Sequence, residues 1–492
     1  MIMESKFKKL KHKNRAHWGI FIILFITFNS LFSCNKFLDV SPKSQIKQDE
    51  LFTSKQGYID ALTGVYTQMT HRSLYGENLT FGFMDALAQY YEASTYTDHY
   101  FYRSTLYDYQ DDGVKTRIAS IWQNMYNNIA NDNNLLAHID QGKSLLSDLD
   151  YKIIKGEALG LRAFMHFDLL RAFGPVYITG KEKSAIPYVT NLSRNVHKIL
   201  PAKVVADSII ADLREAETLL SVYMQMDKIT SPNEDPSDPL LSFRQNHFNY
   251  WAVKAVLARV YLYIGDKQKA LEAAKEVIEN GGFSFVQQAD LTTAKTNKNR
   301  TFSMEQIFSL YDFDLSTPVD TYFKGAANNA IRLTMTSTVR DQIFEVSAGG
   351  SADYRYAYLW ETDESTLYPS KLWQEDDNQD KYKYLLPLVT LPEMYYIAAE
   401  CTPDIPSAVQ YLNKVRENRG LEGLPVDLDE LKLKEEIFKA YQKEFFLEGQ
   451  LFFYYKRLDL THIERSSTTG SEKVFVFPLP DNELQFGDQT NH

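Results

Sequence analysis

The chain has 492 residues, 44% of them hydrophobic, and 64 acidic against 53 basic side chains, for a net charge of −11. That length supports one elaborated core or two intimate lobes, and the acidic balance excludes the basic footprint that phosphate contact in a nucleic-acid binder requires. Two cysteines leave no disulfide framework to rely on.

Residues 1–15 carry six basic side chains and one acidic one, and 18–32, WGIFIILFITFNSLF, are almost wholly apolar before Ser33-Cys34. A charged segment, an apolar segment and a small-residue cleavage site make an export leader, too short and wrongly flanked for a permanent membrane span. Leu31-Phe32-Ser33-Cys34 resembles a bacterial lipobox, which makes Cys34 the expected lipid-attachment site and first residue of the mature chain. Removing 1–33 takes the net charge to −16. Cys401 reads as a buried small hydrophobe.

NKFLDVSPKSQ (35–45) comes next, then an amphipathic helix near 55–70. Between 74 and 112 seven tyrosines fall from Tyr90 to Tyr109 with no sustained helical period after Glu92. Rings in a polar loop are costly to expose unless they meet something, and hydroxylated rings suit stacking on sugars or peptide groups; packing beneath the loop is the alternative. Asp108, Asp111 and Asp112 lack the alternation and downstream Glu of a calcium loop and are expected to form a solvated turn.

Periodicity predicts a helix over 118–140 with Trp122, Tyr126, Ile129, Asn133 and Leu136 on one face, Asn133 as a satisfied structural polar group. A second spans 150–173, halted at Gly174-Pro175, where Arg162 and Arg171 are expected to pair with carboxylates of packed neighbours. The glycines from Gly174 on miss the spacing of a phosphate loop. Pro201 opens a helix over 201–220, and SPNEDPSDP (231–239) is a polar surface excursion.

Phe248–Phe283 reads as a complete helical hairpin: an apolar run to Ile264, a break at Gly265-Asp266, then Ala270, Leu271, Ala273, Ala274, Val277 and Ile278 before Asn280-Gly281-Gly282. Small Ala258, Gly265, Ala270 and Ala274 allow close antiparallel approach, the physical content of a tetratricopeptide unit. One such unit cannot bury its own faces, so others must pack on it. From 284 to 380 the period fades, with one strand expected at FSLYDFD (308–314) and a second lobe of short elements. A last hairpin covers 388–421 and a long helix 433–458, in which Glu444 and Glu448 are expected to pair with Arg and Lys. Hairpins starting near 152, 251 and 388 are unevenly spaced, so long excursions sit between repeat units. The fold class is thus mostly α, with tetratricopeptide-like hairpins (34–283 and 381–492) framing an irregular loop-rich lobe (284–380) that holds a few short strands.

Six segments, in order, resemble the SusD/RagB family of outer-membrane nutrient-binding lipoproteins. They are Cys34 with NKFLDV, the Trp-Tyr-Asn helix at 118–140, Ala-x-x-LRA-aromatic over 158–174, the Gly265-Asp266 hairpin, EFFLEGQ (444–450) and FVFPLPDNELQFG (475–487). LFFYYKR after 450 departs from the family's usual continuation. The resemblance implies a protein without catalysis or cofactor, lipid-anchored to the outer membrane facing the extracellular side. It would pass an oligosaccharide, or in the RagB-like alternative a peptide, to a SusC-like TonB-dependent transporter. By the same resemblance Tyr96, Tyr100, Tyr102, Tyr311 and Tyr322 are the candidate ligand contacts. Neither HExxH nor GxSxG occurs, nor a Cys/His cluster of metal-ligand spacing; a surface glycosidase, which needs two carboxylates across a cleft, is the remaining enzyme reading.

Overall fold

A computed structural model describes residues 48–193, 195–222, 240–324, 330–363, 366–375 and 382–488. The leader, Cys34, NKFLDVSPKSQ and the 231–239 excursion lie outside them. Met1–Leu51 forms a unit of its own, of which the helix Gln48–Leu51 is described; the larger unit, Phe52–His492, holds every other element.

Helix α1, Lys55–Met69, starts where the Ser54 hydroxyl accepts from the Gly57 amide. Helix α2, Asp112–Ile139, begins earlier than the apolar period suggests because Asp111 caps it, accepting from Gly113 and Val114. The acidic run 108–112 is therefore a helix start. Helix α3, Asp148–Phe173, opens on a Ser147/Asp150 capping box and is buried on all sides from Gly156 onward. Strands β1 (Ser184–Pro187) and β2 (Ile199–Pro201) pair antiparallel before α4, Ala202–Leu220. Between α3 and α4, Arg162 meets Asp212 through two bonds of 2.7 and 2.8 Å and gives its third nitrogen to Asn133 Oδ1. Asn133 in turn donates to the Val189 carbonyl at 2.9 Å. Both residues are structural, as expected. Arg171 is likewise engaged, by Asp168 and Gln450.

Helices α5 (Tyr250–Ile264) and α6 (Lys267–Asn280) form the expected hairpin. Gly265 serves it by backbone conformation, not by close approach: its φ is +84° and a Cβ there would meet nothing within 4 Å. Strand β3 covers Gln306–Tyr311, two residues ahead of the expected position, and ends where Asp312 starts a turn into α7, Ser316–Phe323. A hairpin joins β4 (Trp360–Asp363) to β5 (Thr366–Pro369). β3 pairs antiparallel with β6, Leu385–Thr390, from Gln306 opposite Thr390 to Tyr311 opposite Leu385. β6 runs straight into α8, Leu391–Cys401, which forms the last hairpin with α9, Ile405–Glu417. Cys401 is buried, and burial pushes its thiol up to about 12.

Each hairpin, α1/α2, α3/α4, α5/α6 and α8/α9, packs on the next, giving the tetratricopeptide-like stack. Ion pairs join neighbours: Lys254 of α5 reaches Glu217 of α4 at 2.8 Å and Glu276 of α6 at 2.5 Å. Arg259 of α5 holds Glu393 of α8 at 2.6 Å.

The single helix expected over 433–458 is two: α10, Glu430–Glu444, and α11, Leu451–Arg457. Leu447 and Gly449 both take φ of +69°, and their amides donate to the buried Asp85 carboxylate at 2.7 and 3.0 Å. A Cβ on Gly449 would lie 2.3 Å from the Leu79 carbonyl oxygen. The break also separates the two glutamates. Glu444 accepts from Arg355, Arg419 and Tyr396; against burial, the two guanidiniums hold it down to about 2. Glu448 pairs with Lys371 at 2.6 Å. Both carboxylates are paired as expected, inside the protein.

Candidate functional site

Thr63, Tyr66, Thr67 and Thr70 follow one another at i, i+3, i+4 and i+7 and so share one face of α1. That face forms one wall of a groove of about 830 Å³, whose other walls are the Phe243–His247 turn and the segment from Leu310 to Asp314. Past Thr67 and Thr70 the groove continues into an open basin of about 780 Å³ that adds Asp60, Gln68, His71 and Arg72 and keeps Asp312 and Asp314.

A buried carboxylate sets the inner wall. Glu157 of α3 accepts from Arg244 Nη2 at 2.5 Å, the Tyr66 hydroxyl at 2.7 Å and His247 Nδ1 at 3.0 Å. The Tyr66 oxygen also accepts from the Phe248 amide at 2.7 Å. Burial alone would discourage ionisation, yet Arg244 and His247 hold Glu157 down to about 2. Tyr66 and His247, which line the groove, are fixed by this one anchor, and their rings meet edge to face with centroids 5.4 Å apart.

One end of the groove is aromatic. Phe313 is 78% exposed and Phe243, in the left-handed region at φ +51°, is 40% exposed. The Tyr311 and Phe313 rings stand 4.7 Å apart at 78°, and Tyr384 braces both at 5.5 and 5.8 Å. Such an exposed pair presents two ring faces at right angles, a geometry suited to flat or C–H-rich ligand surfaces.

The other end is polar. The Asp312 carboxylate is nearly buried and burial pushes it up to about 6. Its Oδ1 accepts from the Asp314 amide at 3.0 Å, and Asp314 Oδ1 accepts from the Thr317 hydroxyl at 2.6 Å. Among the described residues the half-buried Arg72 side chain makes no hydrogen bond or ion pair, although its charge acts on Glu77, Asp312 and Tyr322.

Of the tyrosines expected at the site, Tyr311 lies in the groove. Tyr96 and Tyr102 are half-buried in the 90–109 segment, outside the groove lining, and Tyr100, 52% exposed, stands edge-on to Phe101 with Arg117 4.4 Å over its ring. Tyr322 is only 7% exposed and its hydroxyl donates to Glu77 at 3.2 Å; it packs behind Phe101 and backs the Tyr100 shelf from within. Four other tyrosines of that segment are buried, with Tyr90, Tyr91, Tyr107 and Tyr109 donating to backbone carbonyls. Tyr66, Phe243 and Tyr384 carry no local sequence signal, since their roles depend on chain segments far apart. Phe313 had one: an aromatic between two aspartates just past a strand marks an exposed turn. No group of His, Cys, Asp or Glu among the described residues is arranged to hold a metal.

A stack of antiparallel helical hairpins carrying an irregular, ring-lined groove defines a binding scaffold. A family model described as "Starch-binding associating with outer membrane" matches residues 36–262. SusD-like protein P25 of Formosa agariphila is 24% identical over 462 residues, covering 81% of each chain. Among solved structures, a SusD superfamily protein from Bacteroides thetaiotaomicron superposes with a TM-score of 0.71 at 23% identity over 88% of this chain and 98% of that one. A laminarin-binding SusD-like protein gives 0.62 at 17% identity over 88% and 98%. Over residues 36–262 the chain thus matches that family model, and its fold is similar to that of SusD superfamily structures.

Proposed function

We propose that the protein is a cell-surface glycan-binding lipoprotein that captures an oligosaccharide in the α1 groove and hands it, chemically unchanged, to a SusC-like TonB-dependent transporter in the outer membrane. The observation that carries this reading is the exposed Tyr311–Phe313 pair at the mouth of a groove built on rigid helices. Stacking of sugar rings on such faces, with a few hydrogen bonds from Arg72 and the aspartates, is enough for capture. The family-model match over residues 36–262 and the laminarin-binding structural neighbour support the saccharide class. Glu444 and Glu448, tied to buried cations, serve packing. In this reading the Tyr100 shelf, with Tyr96 and Tyr102, extends the ligand face; Tyr322 behind it bonds Glu77 and feels the charge of Arg72.

Anchoring rests on Cys34: acylation there, with contact to the transporter, holds the protein at the extracellular side of the outer membrane. Titration calorimetry of the purified mature protein against oligosaccharides and against short peptides, with reducing-end analysis of the mixtures, tests the reading. Saccharide binding without new reducing ends is expected. Binding of peptides alone would move the protein to the RagB-like peptide class, and new reducing ends would make it a hydrolase. In cells, Cys34→Ala is expected to abolish palmitate labelling and membrane retention; unchanged labelling would place the lipid elsewhere.

A further inference from the structure

The groove changes character along its length, and the change bears on what it admits. Around the basin, Asp312 and Asp314 stand on the turn after β3 and Asp60 on α1, against a single guanidinium, Arg72. The bonds that fix the carboxylates use one oxygen each: Asp312 Oδ1 takes the Asp314 amide, Asp314 Oδ1 the Thr317 hydroxyl, and Asp60 Oδ1 the Gln56 side-chain amide at 2.8 Å. The Oδ2 atoms remain as acceptors held in place, which is what neighbouring sugar hydroxyls need as donors. The Arg72 guanidinium, without a hydrogen-bond or ion-pair partner among the described residues, supplies donors beside them. Eleven net negative charges on the whole chain add to the local excess of carboxylate.

We propose that this groove selects a saccharide free of acid groups, reading its hydroxyls with Asp60, Asp312, Asp314 and Arg72 while Tyr311 and Phe313 stack on its rings, and that it excludes uronate- and sulfate-bearing glycans. The proposal rests on the glycan-capture reading above and names the ligand class for that same groove. A polyanion would bring one charge per repeat against three carboxylates and one guanidinium. A neutral chain loses nothing there and gains charge-assisted hydrogen bonds.

The test is affinity electrophoresis of the mature protein in native gels containing laminarin, xylan or mannan on one side and alginate, polygalacturonate or carrageenan on the other. Retardation by at least one neutral polysaccharide is expected, with every anionic one at least about tenfold weaker. Asp312→Asn with Asp314→Asn should weaken the neutral ligand about tenfold and narrow the gap to the anionic ones. If that pair of changes lowers the melting temperature, Asp60→Asn, on the exposed face of α1, provides the same readout in a folded protein. Retardation by an anionic polysaccharide as strong as by any neutral one, lost in Phe313→Ala, would leave glycan capture standing and overturn the exclusion. Retardation by none of the six, with binding of oligolysine instead, would remove the saccharide reading together with this proposal.

Discussion

Glu157→Gln isolates the anchor of the groove wall without changing its volume. The carboxylate is fully buried, and the Arg244 side chain that meets it is 6% exposed, so the neutral amide removes the charge that this buried guanidinium faces in the groove wall. Breaking a buried pair in this way costs on the order of 3–5 kcal/mol. For the roughly 440 residues of the larger unit, an unfolding entropy near 2.1 cal/mol/K per residue makes about 0.9 kcal/mol/K, so the melting temperature should fall by about 4 °C. Tyr66 and His247 lose their shared acceptor at the same time, so saccharide affinity should fall with stability. Adding Arg244→Met removes the guanidinium that faced the lost carboxylate and should recover at least about half of the loss. The assay is a thermal and urea denaturation series of the two single variants, the double variant and the parent. A single-variant loss under about 1 kcal/mol, or a double variant as unstable as the two singles summed, would refute the reasoning.

Gly449→Ala should destabilise by about 2 kcal/mol or more, because the left-handed backbone and the Leu79 carbonyl 2.3 Å from the new Cβ act together; a melting temperature equal to the parent's would contradict this. Stability should fall with acid in two stages. His166 is buried, with Nδ1 bonded to the Arg162 carbonyl and Nε2 accepting from the Val189 amide, and burial lowers it to about 3. Its folded-state value lies below the unfolded 6.5, so its contribution is complete above pH 6.5 and declines as pH falls toward 3. Glu157 and Glu444, both depressed to about 2, add stability above about pH 4.5 that is lost on the way down to 2. Asp312 and Glu448, raised to about 6 and about 7 by burial, act in the opposite sense between those values and about pH 4, so urea midpoints should fall clearly below about pH 4, and a plateau from pH 4 to pH 3 would be the contrary result. Phe313→Ala touches a side chain that is 78% exposed, so stability should change by less than about 0.5 kcal/mol while saccharide affinity drops roughly tenfold, the worth of one stacked ring.

The α5/α6 hairpin was legible because every signal that makes it is local: apolar spacing, Gly265 at the turn, Asn280-Gly281 at the stop. Arg162 and Asn133 could be read as structural because charged and amide groups on buried helix faces need partners, although Asp212 as the partner emerged only in the fold. The break between α10 and α11 was invisible for the opposite reason. EFFLEGQLFF is apolar enough all round to continue a helix, and the carboxylate that opens it, Asp85, lies elsewhere in the chain. The aromatic census failed in a similar way. Composition marks the 90–109 loop as ring-rich, but it does not separate Tyr100, which faces solvent, from Tyr90, Tyr91, Tyr107 and Tyr109, whose hydroxyls close backbone gaps inside. The groove itself joins α1, the 243–247 turn and the end of β3, and no spacing rule connects them.

The most direct measurement of the central claim is a crystal structure of the mature protein with a saccharide that retards it in the native gels. The account places a sugar ring against Phe313 or Tyr311, with hydroxyls within hydrogen-bond distance of Asp312, Asp314 or Arg72. A saccharide bound on a surface remote from α1 and the 310–314 segment, with the groove holding only water, would contradict it.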